Sequence, residues 1–531
     1  MSDTAVSANN LPQQQRNLDS GGSKYFIAAF GVILLVGVVY AGIHLGADLS
    51  AVHTTSALPY VLLGIALAIA LGFEFVNGFH DTANAVATVI YTNALPANMA
   101  VIWSGFFNFL GVLTSAGGVA FTIVSLLPVE LILQVGSAAG FAMVFALLIA
   151  AIIWNLGTWY LGIPNSSSHT LVGSILGVGF ANQLMQGANG ASGVDWSQVG
   201  KVFQALLFSP LAGFTLAAIL MLILKATLSK FPALFQTPEG NKPPPALIRG
   251  LLILTCTGVS FSHGSNDGQK GMGLIMLILI GTVPTAYALN GAVTGGQMAD
   301  FHKHSQAAVS SLNSTTPMDP AAAFKILTTT VQKKAMQPDT NAALSAMIGN
   351  TDQQIVNRAS LKQIPDGQVR NVRNDIYLTD AALKLALKAP GITPAQKTAL
   401  AAYEKDGTHA TQFIPNWVKV AVALALGMGT MVGWKRIVRT VGERIGKQHL
   451  TYAQGLSAEV VAMGLIQSAT AFHLPVSTTH VLTSGVAGTM AANGSGLQWG
   501  TVRALAMAWV FTLPASILLA GVLFWIFRNL F

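Results

Sequence analysis

The chain alternates long, unbroken apolar stretches with short polar punctuation. Tyr25–Leu45, Tyr60–Phe75, Phe141–Leu161, Val202–Leu224 and Val502–Phe527 are nearly free of charge. Most of these runs reach the roughly 20 residues needed to cross a bilayer as a helix. The stretches are continuous rather than alternating, so they predict helices and argue against a β-barrel. The fold class expected is an all-α polytopic membrane protein of about 11 spans, allowing for shorter apolar runs between the clear ones.

A second pattern lies on top of the first. The segment Asn77-Gly78-Phe79-His80-Asp81-Thr82-Ala83-Asn84 recurs loosely as His263-Gly264-Ser265-Asn266-Asp267-Gly268-Gln269-Lys270. Pro164-Asn165-Ser166-Ser167-Ser168-His169 recurs more closely as Pro475-Val476-Ser477-Thr478-Thr479-His480. Asp81 and His169 are 88 residues apart (169 − 81), whereas Asp267 and His480 are 213 apart (480 − 267). A polar stretch over 295–412 accounts for nearly all of the excess. Two repeats carrying the same polar motifs in the same order point to a secondary transporter.

The expected organisation follows from these landmarks. A disordered cytoplasmic tail covers 1–24, an extra N-terminal membrane helix 25–46, and a first membrane repeat 55–225. A basic cytoplasmic loop covers 226–248. The second repeat is split into 249–294 and 413–528 by the polar insert 295–412, which is expected to be helical. Arg16 and Lys24 before Tyr25–Val39, with Val39-Tyr40-Ala41 as a passable cleavage site, resemble a signal sequence. An uncleaved first helix serves a multi-span chain equally well and is preferred.

Charge orients the repeats. Only 9% of the 531 residues are charged, and the net charge is +8. The basic residues collect in loops, which favours a membrane reading over a nucleic-acid one. The loop Lys225–Arg249 holds four Lys or Arg against Glu239, and Lys435–His449 holds five against Glu443. Both are expected to be cytoplasmic. The loop Pro128–Ser137, equivalent to Lys435–His449, has Glu130 and no Lys or Arg. Equivalent loops of opposite character imply inverted topology, with the N-terminus inside and the C-terminus and insert outside. The single Cys256 excludes an intrachain disulfide.

Polar clusters inside spans are costly and therefore informative. Glu74, Asn77, His80, Asp81 and Asn84 fall within about three helical turns. Gly78 in the first motif and Gly264, Gly268 and Gly271 in the second predict helices broken at both places, with re-entrant hairpins, exposing backbone groups to ions. Asp81 and Asp267, with Asn84 and Asn266, are hard oxygen donors for Na⁺ or a divalent metal. A buried aspartate can alternatively take up a proton. Ser166, Ser167 and Ser168, and likewise Ser477, Thr478 and Thr479, stand at helix starts, where free N–H groups and hydroxyls suit phosphate or sulfate. Simple N-capping is the structural alternative. Lys270 can meet the anion or pair with Asp267 or Glu74. His169 and His480 can relay protons or bond a helix carbonyl. His80 and His263 invite zinc, but no HExxH or paired-Cys spacing supports it. A hydrolase built on Ser168, His169 and Asp81 is disfavoured, because adjacent helical residues point about 100° apart and align poorly as nucleophile and base.

The runs Asn77–Tyr91, Trp154–Tyr160, Phe261–Gly271 and Pro475–His480 resemble the inorganic phosphate transporter (PiT) family, in particular its bacterial low-affinity Pit-type members. The resemblance covers roughly 55–294 and 413–528. It implies no enzyme activity and no cofactor, but symport of phosphate, free or metal-bound, with a cation. The cation is expected to be H⁺, with Na⁺ coupling, or a sulfate or other oxyanion permease of this architecture, as the alternatives. Mg²⁺ or another divalent metal would travel with the phosphate. The resemblance further implies a homodimer in membrane lipid, at the bacterial inner membrane. Carried over, Ser166, Ser167, Ser168, Ser477, Thr478, Thr479, Asn84, Asn266 and Lys270 would contact phosphate. Asp81, Asp267, Glu74, His169 and His480 would carry the coupling cation or proton, with Asp81 and Asp267 as metal ligands. The N-terminal extension through Leu45 and the insert 295–412 have no role that the resemblance supplies.

Overall fold

The computed structural model describes residues 24–50, 58–81, 83–186, 194, 196–313 and 317–530. The expected N-terminal tail therefore lies almost wholly outside the described residues. The fold is all-helical: α1 Lys24–Ser50, α2 Leu58–Asp81, α3 Ala83–Tyr91, α4 Ala97–Thr114, α5 Gly118–Val124, α6 Val129–Leu133, α7 Ala138–Tyr160, α8 Ser167–Gln186 and α9 Trp196–Thr227. Then follow α10 Ala246–Thr282, α11 Pro284–Tyr287, α12 Gly295–Ser311, α13 Pro320–Lys333, α14 Thr340–Ile355, α15 Asp366–Ala386 and α16 Pro394–Thr411. The chain ends with α17 Asn416–Thr430, α18 Lys435–Arg439, α19 Tyr452–Ala471, α20 Thr478–Asn493 and α21 Trp499–Leu530.

Among the described residues, seven helices are long and apolar enough to cross a membrane. Their outer faces carry exposed Leu35, Val36, Phe208, Leu211, Leu222, Val510 and Leu518. Such a belt is stable only against lipid, since a water-soluble surface would bury it. α8, α19 and α20 are less apolar and lie further inside. α8 and α20 begin with the two hydroxyl motifs, whereas the two aspartate motifs lie on α2 and α10.

Packing is crossed between the two sequence repeats. α8 lies chiefly against α21, and α20 against α9. α4 packs on α10, and α17 on α2. Glycines at equivalent places permit the closest crossings: Gly177 faces the Ile517 carbonyl, and Gly488 faces the Phe214 carbonyl. α9 and α21 are each 32 residues long, begin with Trp, and carry an internal proline, Pro210 and Pro514.

Among the described residues no break falls at the motif glycines themselves, although α2 ends three residues past Gly78, at Asp81, and α3 begins at Ala83. α10 runs 37 residues through Gly264, Gly268 and Gly271, and α2 continues through Gly78 to Asp81. These glycines instead mark contact points. A side chain at Gly264 would strike the Asn108 carbonyl, one at Gly78 the Leu426 carbonyl, and one at Gly271 the Glu74 carboxyl. Small residues let backbones approach in a membrane, where no hydrophobic drive assembles helices.

α10, about 55 Å long at 1.5 Å per residue, connects two different faces. Near its start, Asn93 donates to the Gly240 and Lys242 carbonyls of one basic loop, and Tyr91 donates to Glu443 of the other. Near its end, Gly281 lies beside Val135. There α12–α16 dock on loop 128–137. Gln332 donates to Glu130 at 2.8 Å, Asn374 to the Leu133 carbonyl at 3.2 Å, and buried Arg373 to the Ile132 carbonyl at 3.5 Å. α1 packs on α17 and is held at its end by Tyr287 donating to Asp48 at 2.6 Å.

Candidate functional site

Both hydroxyl motifs begin helices. The first hydroxyl of each acts as the cap: Ser166 Oγ accepts from His169 N, and Ser477 Oγ from His480 N, each at 3.1 Å. Proline two residues before the cap cannot continue a helix backwards, so the chain must enter here extended. The His169 and His480 rings lie 4.5 Å apart, centroid to centroid, which brings the two helix starts face to face. His480 also stacks on Trp509, and His169 Nδ1 bonds Ser166 Oγ at 2.9 Å rather than Ser168.

The second and third hydroxyls differ in their surroundings. Ser167 accepts from Asn155 at 3.3 Å. Thr478 Oγ1 is buried with no hydrogen-bond partner. Ser168 Oγ donates to the Val476 carbonyl at 2.8 Å, and Thr479 Oγ1 donates to Asp81 Oδ1 at 2.7 Å. A buried hydroxyl without a partner is unfavourable by about 1–3 kcal/mol.

The carboxylates gather beside these helix starts. Asp81 Oδ1 lies 3.2 Å from His80 Nδ1, whose other ring nitrogen is 3.2 Å from Thr158 Oγ1. Asp267 Oδ1 pairs with Lys270 Nζ at 2.7 Å, one turn along α10, and the same ammonium donates to Ser168 Oγ at 2.5 Å. Of the two carboxylates open to Lys270, the structure thus brings Asp267 to it, and it adds Ser168 as a second partner. Glu74 is directed instead toward Asn77, 3.5 Å away, with its other oxygen unbonded against Gly271. Asn266 donates to Thr470 Oγ1 and the Leu474 carbonyl, fixing the turn that leads into Pro475. The side chain of Asn84 lies outside the described residues.

Residue types alone did not place His263 in this group. Its Nε2 is 3.5 Å from Asp267 Oδ2, and its Nδ1 is 2.7 Å from Asn108 Oδ1. Asp81, His263 and Asp267 offer donor atoms within 4.8 Å of one another, all buried. Two carboxylates and one imidazole suit a divalent ion that accepts mixed nitrogen and oxygen ligands. Glu459 was also missed. It is fully buried on α19 and accepts from Thr88 and Thr255. A lone carboxylate within the apolar run of α19 was the signal available for it.

Asp81, Asp267, Lys270, His169, His480 and the six motif hydroxyls are all at most 6% exposed. The group is closed to solvent in this conformation, while its helices come from both repeats.

The sequence profile of the Phosphate transporter family matches residues 77–520. The chain is 43% identical over 490 residues to "Low-affinity inorganic phosphate transporter PitA" of Escherichia coli strain K12, covering 88% of this chain and 96% of that one. It is 41% identical over 493 residues to PitB of the same strain, with the same coverage. It is 30% identical over 463 residues to "Probable low-affinity inorganic phosphate transporter" of Bacillus subtilis strain 168, covering 87% and 96%. A solved structure, "The sodium-dependent phosphate transporter", aligns with TM-score 0.49 and 18% identity over 89% of this chain and all of that one. The profile match spans both copies of each polar motif, and the chain belongs to the phosphate transporter family.

Proposed function

We propose that the protein is a secondary active symporter of inorganic phosphate, taken as the free ion or as a metal–phosphate, driven by H⁺. One observation carries the reading. Each repeat's motif aspartate is tied to the third hydroxyl of the other repeat's helix-start motif, Asp81 directly to Thr479 and Asp267 through Lys270 to Ser168. Cation-binding and anion-binding groups are thereby joined across the boundary between the halves. That boundary is where inverted-repeat transporters hold their cargo.

Phosphate would be held by the free N–H groups at the starts of α8 and α20, by Thr478, Ser167 and Ser168, and by Asn266, with Asn84 assigned the same role from its place in the sequence motif alone. Helix starts favour an oxyanion through their exposed donors and dipole. A cation travelling with it would lie among Asp81, His263 and Asp267. His169 and His480, in ring contact between the helix starts, are placed to pass protons. The crossed pairs α8–α21 and α20–α9 are the natural rigid bodies of alternating access. The two halves are inverted repeats, with the basic loops cytoplasmic and the insert on the opposite side. The names of the Escherichia coli and Bacillus relatives support phosphate over other oxyanions.

The test is competition. Uptake of labelled phosphate by membrane vesicles carrying the protein should be suppressed by excess unlabelled phosphate or arsenate and left unchanged by sulfate. Suppression by sulfate at equal concentration would make it a general oxyanion permease.

A further inference from the structure

The repeat register makes one substitution stand out. With Gly78 opposite Gly264 and Asp81 opposite Asp267, Asn84 falls opposite Lys270. Each is the third residue after its aspartate, so one copy of the motif offers a neutral amide where the other offers a fixed positive charge. The register of the hydroxyl motifs likewise sets Ser168 opposite Thr479.

The two crossings between halves can then be compared atom by atom. In one, Thr479 Oγ1 donates straight to Asp81 Oδ1 at 2.7 Å. In the other, the ammonium of Lys270 stands between the partners, 2.7 Å from Asp267 Oδ1 and 2.5 Å from Ser168 Oγ. Ser168 turns its own hydrogen to the Val476 carbonyl and presents its lone pair to the ammonium. A compact positive charge lined by carboxylate and hydroxyl oxygens at that spacing has the surroundings of a bound monovalent ion. Lys270 is fully buried, so its charge must be matched where it stands. α10 is also unbroken at this point.

We propose that Lys270 is a tethered cation: it occupies, beside Asp267, the place an exchangeable monovalent ion would take, and so removes Na⁺ from the transport cycle. The inference rests on the symport reading above and adds which ion that site rejects. Tethering is what makes the exclusion effective. A covalently attached charge acts at an effective concentration set by its linker, and dissolved Na⁺ cannot displace it.

The experiment is K270N, which gives the second motif the residue of the first. Labelled phosphate uptake would be measured in proteoliposomes with Na⁺ or choline as the only monovalent cation, for both wild type and variant. Wild-type uptake should be the same in both media, and that of K270N at least about tenfold greater in Na⁺. A buried substitution can cost transport altogether, so the thermal midpoint of purified K270N in detergent is read in parallel. Na⁺ should raise it by several degrees relative to choline and leave the wild type unmoved, as expected for a ligand that binds only the folded variant. A sodium response of K270N in either readout supports the tethered-cation role. Sodium-insensitive K270N in both readouts, or a wild type that requires Na⁺, overturns it. A wild type that transports no phosphate in either medium would instead sink the phosphate reading, and the thermal readout would still decide the role of Lys270.

Discussion

The Asp267–Lys270 pair makes the sharpest energetic prediction. Both side chains are fully buried, with nitrogen and oxygen 2.7 Å apart. At an effective dielectric near 20 the mutual attraction is about 6 kcal/mol. Removing one partner strands the other charge, which costs roughly 3–5 kcal/mol. D267N leaves the ammonium with Ser168 as its remaining neutral oxygen partner, and K270M leaves a bare carboxylate beside His263. Each should lower the thermal midpoint of the purified protein in detergent clearly. The double variant D267N/K270M removes both charges, and replacing a buried pair by neutral groups is often close to neutral. Its midpoint should therefore recover most of the loss, a coupling of about 3 kcal/mol or more. All four proteins would be compared in one detergent at one pH. D267N and D267N/K270M should both lack phosphate uptake, since the carboxylate is gone in each. Additive losses in the double variant, or singles indistinguishable from wild type, would show that the pair is not a matched buried ion pair.

Other outcomes follow from the packing and from the insert. G111A would drive a Cβ into the Phe261 carbonyl on α10, whereas G250A on the same helix pair meets open space. G111A should destabilise by about 1–3 kcal/mol and G250A should be neutral or stabilising by up to about 1 kcal/mol, read as opposite shifts in thermal midpoint. In the insert, burial pushes the Asp375 carboxyl up to about 6 and holds Asp380, beside Tyr403 and Thr408, well above the usual carboxylate range. A raised folded-state value means the folded form binds more protons, so this stability is full below pH 4 and is lost as pH rises through about 6 and beyond. D380N should abolish the part of the alkaline loss that belongs to Asp380, measured by proteolysis of the insert against pH. A steeper loss in D380N would reverse that sign. Replacing 295–412 by a short flexible linker should leave measurable uptake, since the motif residues lie outside that segment. Loss of uptake with several linkers, in protein that still reaches the membrane, would make the insert part of the transport machinery.

Motif positions were legible in the sequence because duplication gives each residue a counterpart. The spacing Asp267 to Lys270 already puts both on one face of a helix. What the sequence could not settle was the meaning of glycine. In an apolar run it can free the backbone or admit a neighbour, and only the partner decides. Here Asn108 and Leu426 present carbonyls to Gly264 and Gly78, so both glycines serve as contact points within helical backbone. Contacts between halves were hidden for a different reason. Thr479 reaches Asp81 from 398 residues away and Lys270 reaches Ser168 across 102, through a crossing no periodicity reports. His263 was visible as a polar residue within a span. Its membership of a carboxylate group depended on how α2 and α10 lie together, which sequence spacing does not carry.

The measurement that bears most directly on the central claim is uptake of labelled phosphate into proteoliposomes under an inward-directed proton gradient, without Na⁺, with and without Mg²⁺. The account predicts accumulation above the outside concentration that collapses with a protonophore and increases with Mg²⁺. Accumulation that appears only when Na⁺ is supplied, or flux that merely equilibrates phosphate whatever the gradient, would contradict it.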